Sequence, residues 1–146
     1  MANKTVPEND SCIFCKIVAG QIPCEKLYED EAVLSFLDVG PLSKGHALVI
    51  PKGHWEKMDC VPAQVSSAIG RILPVLSRSI CSAVGADDWN ILQNNGRLAH
   101  QEVDHVHFHI IPRTDSAGLG INWSPKKIDK KNMATLGEMI RNKIER

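Results

Sequence analysis

A chain of 146 residues with 43% hydrophobic and 23% charged side chains is long enough to bury one core without disulfides, and that balance excludes general disorder. Its 17 basic and 17 acidic residues cancel, which excludes the broad positive field that non-specific nucleic-acid binding relies on. No apolar run reaches the length of a membrane span, so neither nucleic acid nor membrane is expected as a partner.

Residues 1–11, "MANKTVPENDS", form a polar segment without the apolar core of a secretory signal. The expected setting is the cytoplasm, and also the nucleus if the source is eukaryotic. Five cysteines in a reducing compartment point to thiols or metal ligands rather than to a disulfide framework. Cys24, Cys60 and Cys81 stand isolated and read as structural. "CIFCKIVAG", closed by Gly20, predicts a short helix, and "QIPCEKLYED" predicts an extended segment because Pro23 disfavours helix in the residue before it. "AVLSFLDV" and "HALVIP" read as strands around the breaker-rich "GPLSKG". Between Pro62 and Val84, the residues Val65, Ile69, Ile72, Leu76 and Ile80 recur at helical spacing, with Pro62 suited to the first turn and Pro74 expected to kink the helix. "WNILQNNG" predicts a strand ending in a turn, and "EVDHVHFHIIP" predicts the longest strand. Residues from about 113 to 146 predict a loop and then a helix in which Met133, Leu136, Ile140 and Ile144 share a face. From Lys126 to Arg146, seven Lys or Arg stand against three acids, a local excess that reads as a solvated tail. The sum is an α+β fold with an antiparallel sheet whose later strands form a meander.

The last strand raises the functional question. In an extended chain His105, His107 and His109 line one face at intervals of about 6.5–7 Å, while Val106, Phe108 and Ile110 line the other. A row of imidazoles offers a nucleophile, a proton donor and a metal ligand within one site. A His-x-His pair on a strand is also a zinc arrangement, so spacing alone does not separate a metal site from a nucleophilic one.

"HVHFHII" resembles the histidine triad motif, His-x-His-x-His followed by apolar residues, and "IFCKIVAGQIPCEKLYEDEAVLSFLDVGPLSKGHALVIPKGH" is similar to the N-terminal half of the histidine triad (HIT) family. The resemblance runs from about Cys12 to Arg113. It implies a single HIT domain over residues 12–146, forming a homodimer whose sheet is continuous across the interface. It further implies hydrolysis or transfer of nucleotides at the α-phosphate. On this likeness His107 is the nucleophile that forms a nucleotidyl-histidine, and His109 faces the phosphate oxygens or leaving group. His46 holds the nucleophile's orientation, and Asn94 hydrogen-bonds near the phosphate. By residue type alone, His46 is equally a strand-end residue and Asn94 a turn residue. Asp38 matches the acid that accepts from ribose hydroxyls. Phe14, Ile17, Ile22, Phe36 and Val39 match the walls around a purine base, although core packing accounts for them equally well. Glu102 and Val103 complete the nucleotide-binding set.

Two departures narrow the likeness. Glu102 stands where the animal branch carries serine, and with His100 and Asp104 it makes "HQEVDHVHFHIIPR" look more like the bacterial and fungal branch. "CIFC" gives Cys12-x-x-Cys15, which in some bacterial members binds structural zinc; His54 and His105 match the other two ligands. A redox reading of the pair competes, without the βαβ setting of the thioredoxin kind. If zinc binds, His105 is a ligand, and His107 and His109 are left for chemistry. The leading expectation is a hydrolase of adenosine 5'-monophosphoramidate or AMP-lysine-like conjugates. Dinucleoside polyphosphate hydrolysis, nucleotidyl transfer, a zinc hydrolase and a nucleotide-binding regulatory module with incidental catalysis are the alternatives.

Overall fold

The structure, a computed structural model, describes residues 9–121 and 124–145, so most of the polar segment 1–11 lies outside the described residues. Contacts divide the chain into two compact units, one ending at Ser116 and one beginning at Ala117.

In the first unit the elements are α1 (Ile13–Val18), β1 (Lys26–Glu29), β2 (Val33–Leu37), β3 (Ala47–Pro51), α2 (Ala63–Val84), β4 (Asp88–Gln93) and β5 (Phe108–Arg113). Short 3₁₀ turns at Met58–Cys60 and Arg97–Ala99 interrupt the loops. The five strands form one antiparallel sheet in the order β1-β2-β3-β5-β4. The first three are a meander. The later ones are not, because α2 carries the chain past one vacant position, β4 takes the outer place, and β5 returns between β3 and β4.

Strand alternation sorts two cores. Val33, Ala47, Val49 and Ile110 face α2 and pack on Ala68, Ile69, Leu76 and Ile80. Leu34, Phe36, Leu48 and Ile50 point the other way and pack with Cys12 and Phe14 of the α1 region. Both faces of β2 and β3 are therefore covered, which is why "HALVIP" is a continuous apolar run rather than an alternating one. The predicted helical face of α2 is the packed one. The helix continues unbroken through Pro74, whose ring lies on the exposed side. The carbonyl that Pro74 leaves without an intrahelical donor is that of Gly70, which is itself exposed to water. Gly85 closes the helix in the left-handed conformation at φ 72°.

The expected strand over 102–112 is corrected: the ladder begins only at Phe108, which pairs with Val49 on one side and Gln93 on the other. Upstream, the His105 N–H turns back to the carbonyl of Val103 and the Val106 N–H goes to Trp55.

In the second unit α3 spans Lys130–Arg141, with Asp129 accepting from the Asn132 N–H at 2.9 Å as its N-cap. Met133, Leu136 and Ile140 are exposed, and Ile144 lies beyond the helix end. Among the described residues, no helix is long and apolar enough to cross a membrane.

Gly45 enters β3 at φ +87°, and a Cβ there would meet Val84 at 2.9 Å and Ile80 at 3.2 Å. Gly45→Ala combines backbone strain with overpacking against α2. It is expected to lower unfolding stability by about 2 kcal/mol or more, read as a shift in urea midpoint at unchanged m-value.

Candidate active site

The residues ahead of β5 are irregular in backbone and rigid in side chain. Gln101, 2% exposed, accepts from the Gly96 N–H at 2.7 Å and donates to the carbonyls of Glu56 and Val103. The loop is thereby pinned to the segment after β3. His105 is fully buried and donates from Nε2 to the carbonyl of Pro51 at 2.9 Å. A carbonyl only accepts, so the ring proton of neutral His105 is on Nε2 and its Nδ1 presents a lone pair. That lone pair faces Cys12 Sγ at 3.4 Å, Cys15 Sγ at 3.6 Å and His54 Nδ1 at 3.2 Å, while Cys15 Sγ and His54 Nδ1 are 3.4 Å apart.

Zn–S and Zn–N bonds of about 2.3 and 2.0–2.1 Å at tetrahedral angles set S···N edges near about 3.5 Å and N···N edges near about 3.3 Å. The three edges at His105 and the Cys15–His54 edge match those lengths, and all four donor atoms lie within 4.8 Å of one another. Cys12, Cys15, His54 and His105 can thus hold a metal ion, the set expected from the sequence.

His107, 6% exposed, uses the opposite end of its ring in the same way. Its Nδ1–H donates to the carbonyl of His105 at 2.6 Å, which leaves the lone pair on Nε2. The ring of Phe14 packs edge-on against both His105 and His107, at 5.8 and 5.2 Å between centroids, and against Phe36 at 5.8 Å. The His107 and His109 centroids are 5.0 Å apart.

His46 completes the row. The Leu42 N–H donates to its Nδ1 at 3.0 Å, so its proton is on Nε2 and is given to His109 Nδ1 at 2.9 Å. The proton of neutral His109 is then on Nε2. Asp38 Oδ2 lies 3.5 Å from His46 Nε2, and its Oδ1 accepts from the Gly40 N–H at 2.8 Å. Asp38, His46 and His109 form a second group of possible metal donors, yet here a ring proton already fills the space between the nitrogens.

Burial pulls the pKa of His105 to about 4, against the carbonyl of Pro51 that favours its charged form. His109 is also pulled to about 4, by burial and then by its histidine neighbours. His107 and His46 are lowered chiefly by burial, with the charge of Asp38 opposing in both. The cluster is therefore neutral at pH 7, with a nucleophilic nitrogen on His107 and an N–H donor on His109.

The other sequence-predicted residues divide. Phe14 and Phe36 are buried in the core beneath the histidines, and Ile17 and Val103 pack partly buried beside them. Ile22 is half-buried, and Val39 is fully exposed next to Asp38. Asn94 is buried and donates to the carbonyl of His100 at 3.3 Å. Glu102 is exposed, and its carbonyl accepts from Arg97 at 2.6 Å. Gln101, Leu42 and Pro51 were not singled out by the sequence. Two of the three act through main-chain atoms that every residue carries, and an isolated glutamine gives no periodic signal. A cavity of about 450 Å³ lined by Asp87, Asp88, Arg113 and Asp115, among others, contains none of the predicted residues.

A sequence model of the HIT domain matches residues 19–116. Over 136 residues the chain is 51% identical to adenosine 5'-monophosphoramidase of Schizosaccharomyces pombe, covering 92% of this chain and 99% of that protein. Over 126 residues it is 47% identical to an adenylylsulfatase of Arabidopsis thaliana, covering 86% of this chain and 62% of that protein. A crystal structure of a HIT family member from Bacillus subtilis superposes with a TM-score of 0.89 at 37% identity, covering 94% of this chain and 99% of that chain.

The lowered histidine pKa values set a sign for acid stability. The unfolded chain binds a proton on each imidazole near pH 6.5, whereas the folded chain resists until about pH 4 at His105 and His109. Stability is thus complete above about 6.5 and falls as pH drops toward 4. Each such histidine steepens the fall by up to about 1.4 kcal/mol per pH unit. Urea midpoints measured from pH 8 to pH 4 check this, and a His109→Gln variant is expected to show the shallower slope.

Proposed function

The chain belongs to the HIT domain family, and from that premise we propose that it hydrolyses nucleotide conjugates at the α-phosphate, adenosine 5'-monophosphoramidate and AMP-lysine-like compounds foremost, through a nucleotidyl-histidine on His107. The observation that carries the reading is the 2.6 Å hydrogen bond from His107 Nδ1 to the His105 carbonyl, which leaves Nε2 as the attacking atom. Nε2 forms a bond to phosphorus as the P–N bond breaks, and the departing amine takes up a proton. Water then attacks the same phosphorus, the P–N bond to His107 breaks, and AMP leaves. His109 directs its Nε2–H at the phosphoryl oxygens. That N–H stabilises the charge on the phosphoryl oxygens, while the proton taken up by the departing amine is drawn from solvent and is returned when the attacking water loses its own. Asp38 keeps lone pairs for the ribose hydroxyls beyond the one engaged by Gly40. The names of the two curated relatives differ in the group joined to the adenylyl unit, which supports a site built for the nucleotide side of the scissile bond.

Zinc is the metal we assign to Cys12, Cys15, His54 and His105. When bound, it ties α1 to the loop before β5 as a closed tetrahedral centre. A cytoplasmic setting keeps the two thiols reduced for that role. A homodimer is supported by β4, an outer strand of six residues whose Trp89 and Ile91 are exposed; a second copy pairing there continues the sheet.

Acid-quenched incubation with adenosine 5'-[³²P]monophosphoramidate is expected to leave label on His107. His107→Ala is expected to lose about 10³-fold or more in kcat/KM while still binding AMP. Binding without any turnover in the unaltered protein would favour the regulatory reading. For the dimer, Ile91→Glu is expected to give a monomer at micromolar concentration in sedimentation velocity, against a dimer for the unaltered chain.

A further inference from the structure

His105 serves two places at once. Its ring lies in the four-donor group, fixed at Nε2 by Pro51 and at Nδ1 among two sulfurs and His54. Its main-chain carbonyl accepts the Nδ1–H of His107. A ring held at both nitrogens anchors the Cα of His105, and the peptide that carries its carbonyl is aimed by the Val106 N–H bond to Trp55 at 2.7 Å, next in sequence to the donor His54, in a segment outside the sheet ladder. Phe14 supplies a second link. It sits inside the Cys12-x-x-Cys15 turn, 6% exposed, with its ring edge against both His105 and His107. The turn that carries both sulfurs therefore also carries the wall that fixes the plane of the nucleophile's ring.

We propose that the four-donor group is a positioning device for the nucleophile, with His105 and Phe14 as positioning residues through which zinc occupancy sets the tautomer and orientation of His107. The inference rests on the reading of His107 as nucleophile, and it goes beyond a zinc that merely stabilises the fold. Filling the site locks the His105 carbonyl on the Nδ1–H of His107. Emptying it replaces the metal bond at His105 Nδ1 by weak thiol contacts, loosens the CIFC turn, and lets His107 carry its proton on either nitrogen.

The test uses the whole protein in four forms: zinc-loaded with one zinc per chain by elemental analysis, chelator-stripped, Cys15→Ser, and Leu76→Ala. The last is a core truncation in α2, away from the site, which lowers stability without touching either group. Long-range ¹H–¹⁵N spectra of the histidine rings, taken where each form is folded, are expected to show His107 as a single Nδ1–H tautomer in the zinc-loaded and Leu76→Ala forms. In the stripped form a mixture is expected, with kcat down tenfold or more and restored by zinc. Cys15→Ser is expected to match the stripped form, and if it does not fold, chelation of the unaltered chain still decides. An unchanged tautomer and kcat in folded, stripped protein would overturn the proposal. So would failure to take up zinc, or loss of kcat with the tautomer unchanged, which would place the metal in the chemistry itself. Should no form turn over the phosphoramidate, the hydrolase reading fails while the tautomer comparison still decides the positioning role.

Discussion

A hydrogen bond of 2.6 Å between the Nδ1–H of His107 and the carbonyl of His105 is the constraint on which the site depends. An imidazole attacks with whichever nitrogen lacks a proton, and nothing intrinsic to histidine makes that choice. Here main-chain groups make it for the whole cluster. The Pro51 carbonyl fixes His105, the His105 carbonyl fixes His107, and the Leu42 N–H fixes His46, which in turn fixes His109. Main-chain groups do not titrate in the working range, so the assignment is independent of pH as long as the rings stay neutral. Burial keeps them neutral by lowering all four pKa values.

The same constraint explains why the strand stops short. If residues 102–107 continued the ladder of β5, the carbonyl of His105 would be directed along the sheet toward a neighbouring strand. It would not then be available to the side chain two residues later. Leaving the ladder releases it. The segment recovers its lost pairing through the Val106 N–H to Trp55 and through Gln101, whose side chain meets three main-chain groups. A buried glutamine with all its partners satisfied is a costly way to organise a loop unless its shape matters.

Much of this was legible in the sequence, and what was not has identifiable causes. The helix from Ala63, the strands at Val33 and Ala47, and the convergence of Cys12, Cys15, His54 and His105 follow from periodicity, breakers and the family likeness. The strand boundary at Phe108 does not, because "EVDHVH" carries no proline or glycine to mark a break before "FHIIP", and only the partners of its main-chain groups reveal that it is outside the ladder. The order β3-β5-β4 is likewise invisible locally, since it depends on how far across the sheet the 22 residues of α2 carry the chain. Phe14 and Phe36, offered as base walls or as core, are buried, with the Phe14 ring edge-on to Phe36, His105 and His107. Residue type could not separate those roles. Pro74 broke a local rule without ending the helix because the carbonyl it orphans, at Gly70, faces water.

Two donor groups that each contain a pair of histidines differ in their capacity to take a cation, and the difference lies in where the ring protons are. Between His46 and His109 the nitrogens are 2.9 Å apart with a ring proton between them, since the Leu42 N–H occupies the other nitrogen of His46. A cation entering there would have to displace that proton and break the relay. Around His105 the ring proton is spent on Pro51, on the far side of the ring, and a bare lone pair faces two sulfurs and a second imidazole at tetrahedral edge lengths. Swapping an acceptor for a donor at Pro51, or a donor for an acceptor at Leu42, would interchange these preferences without altering a single side chain in either group. Which cluster can hold a metal ion and which nitrogen of each ring is bare are thus both consequences of which main-chain atom meets the outer edge of the ring.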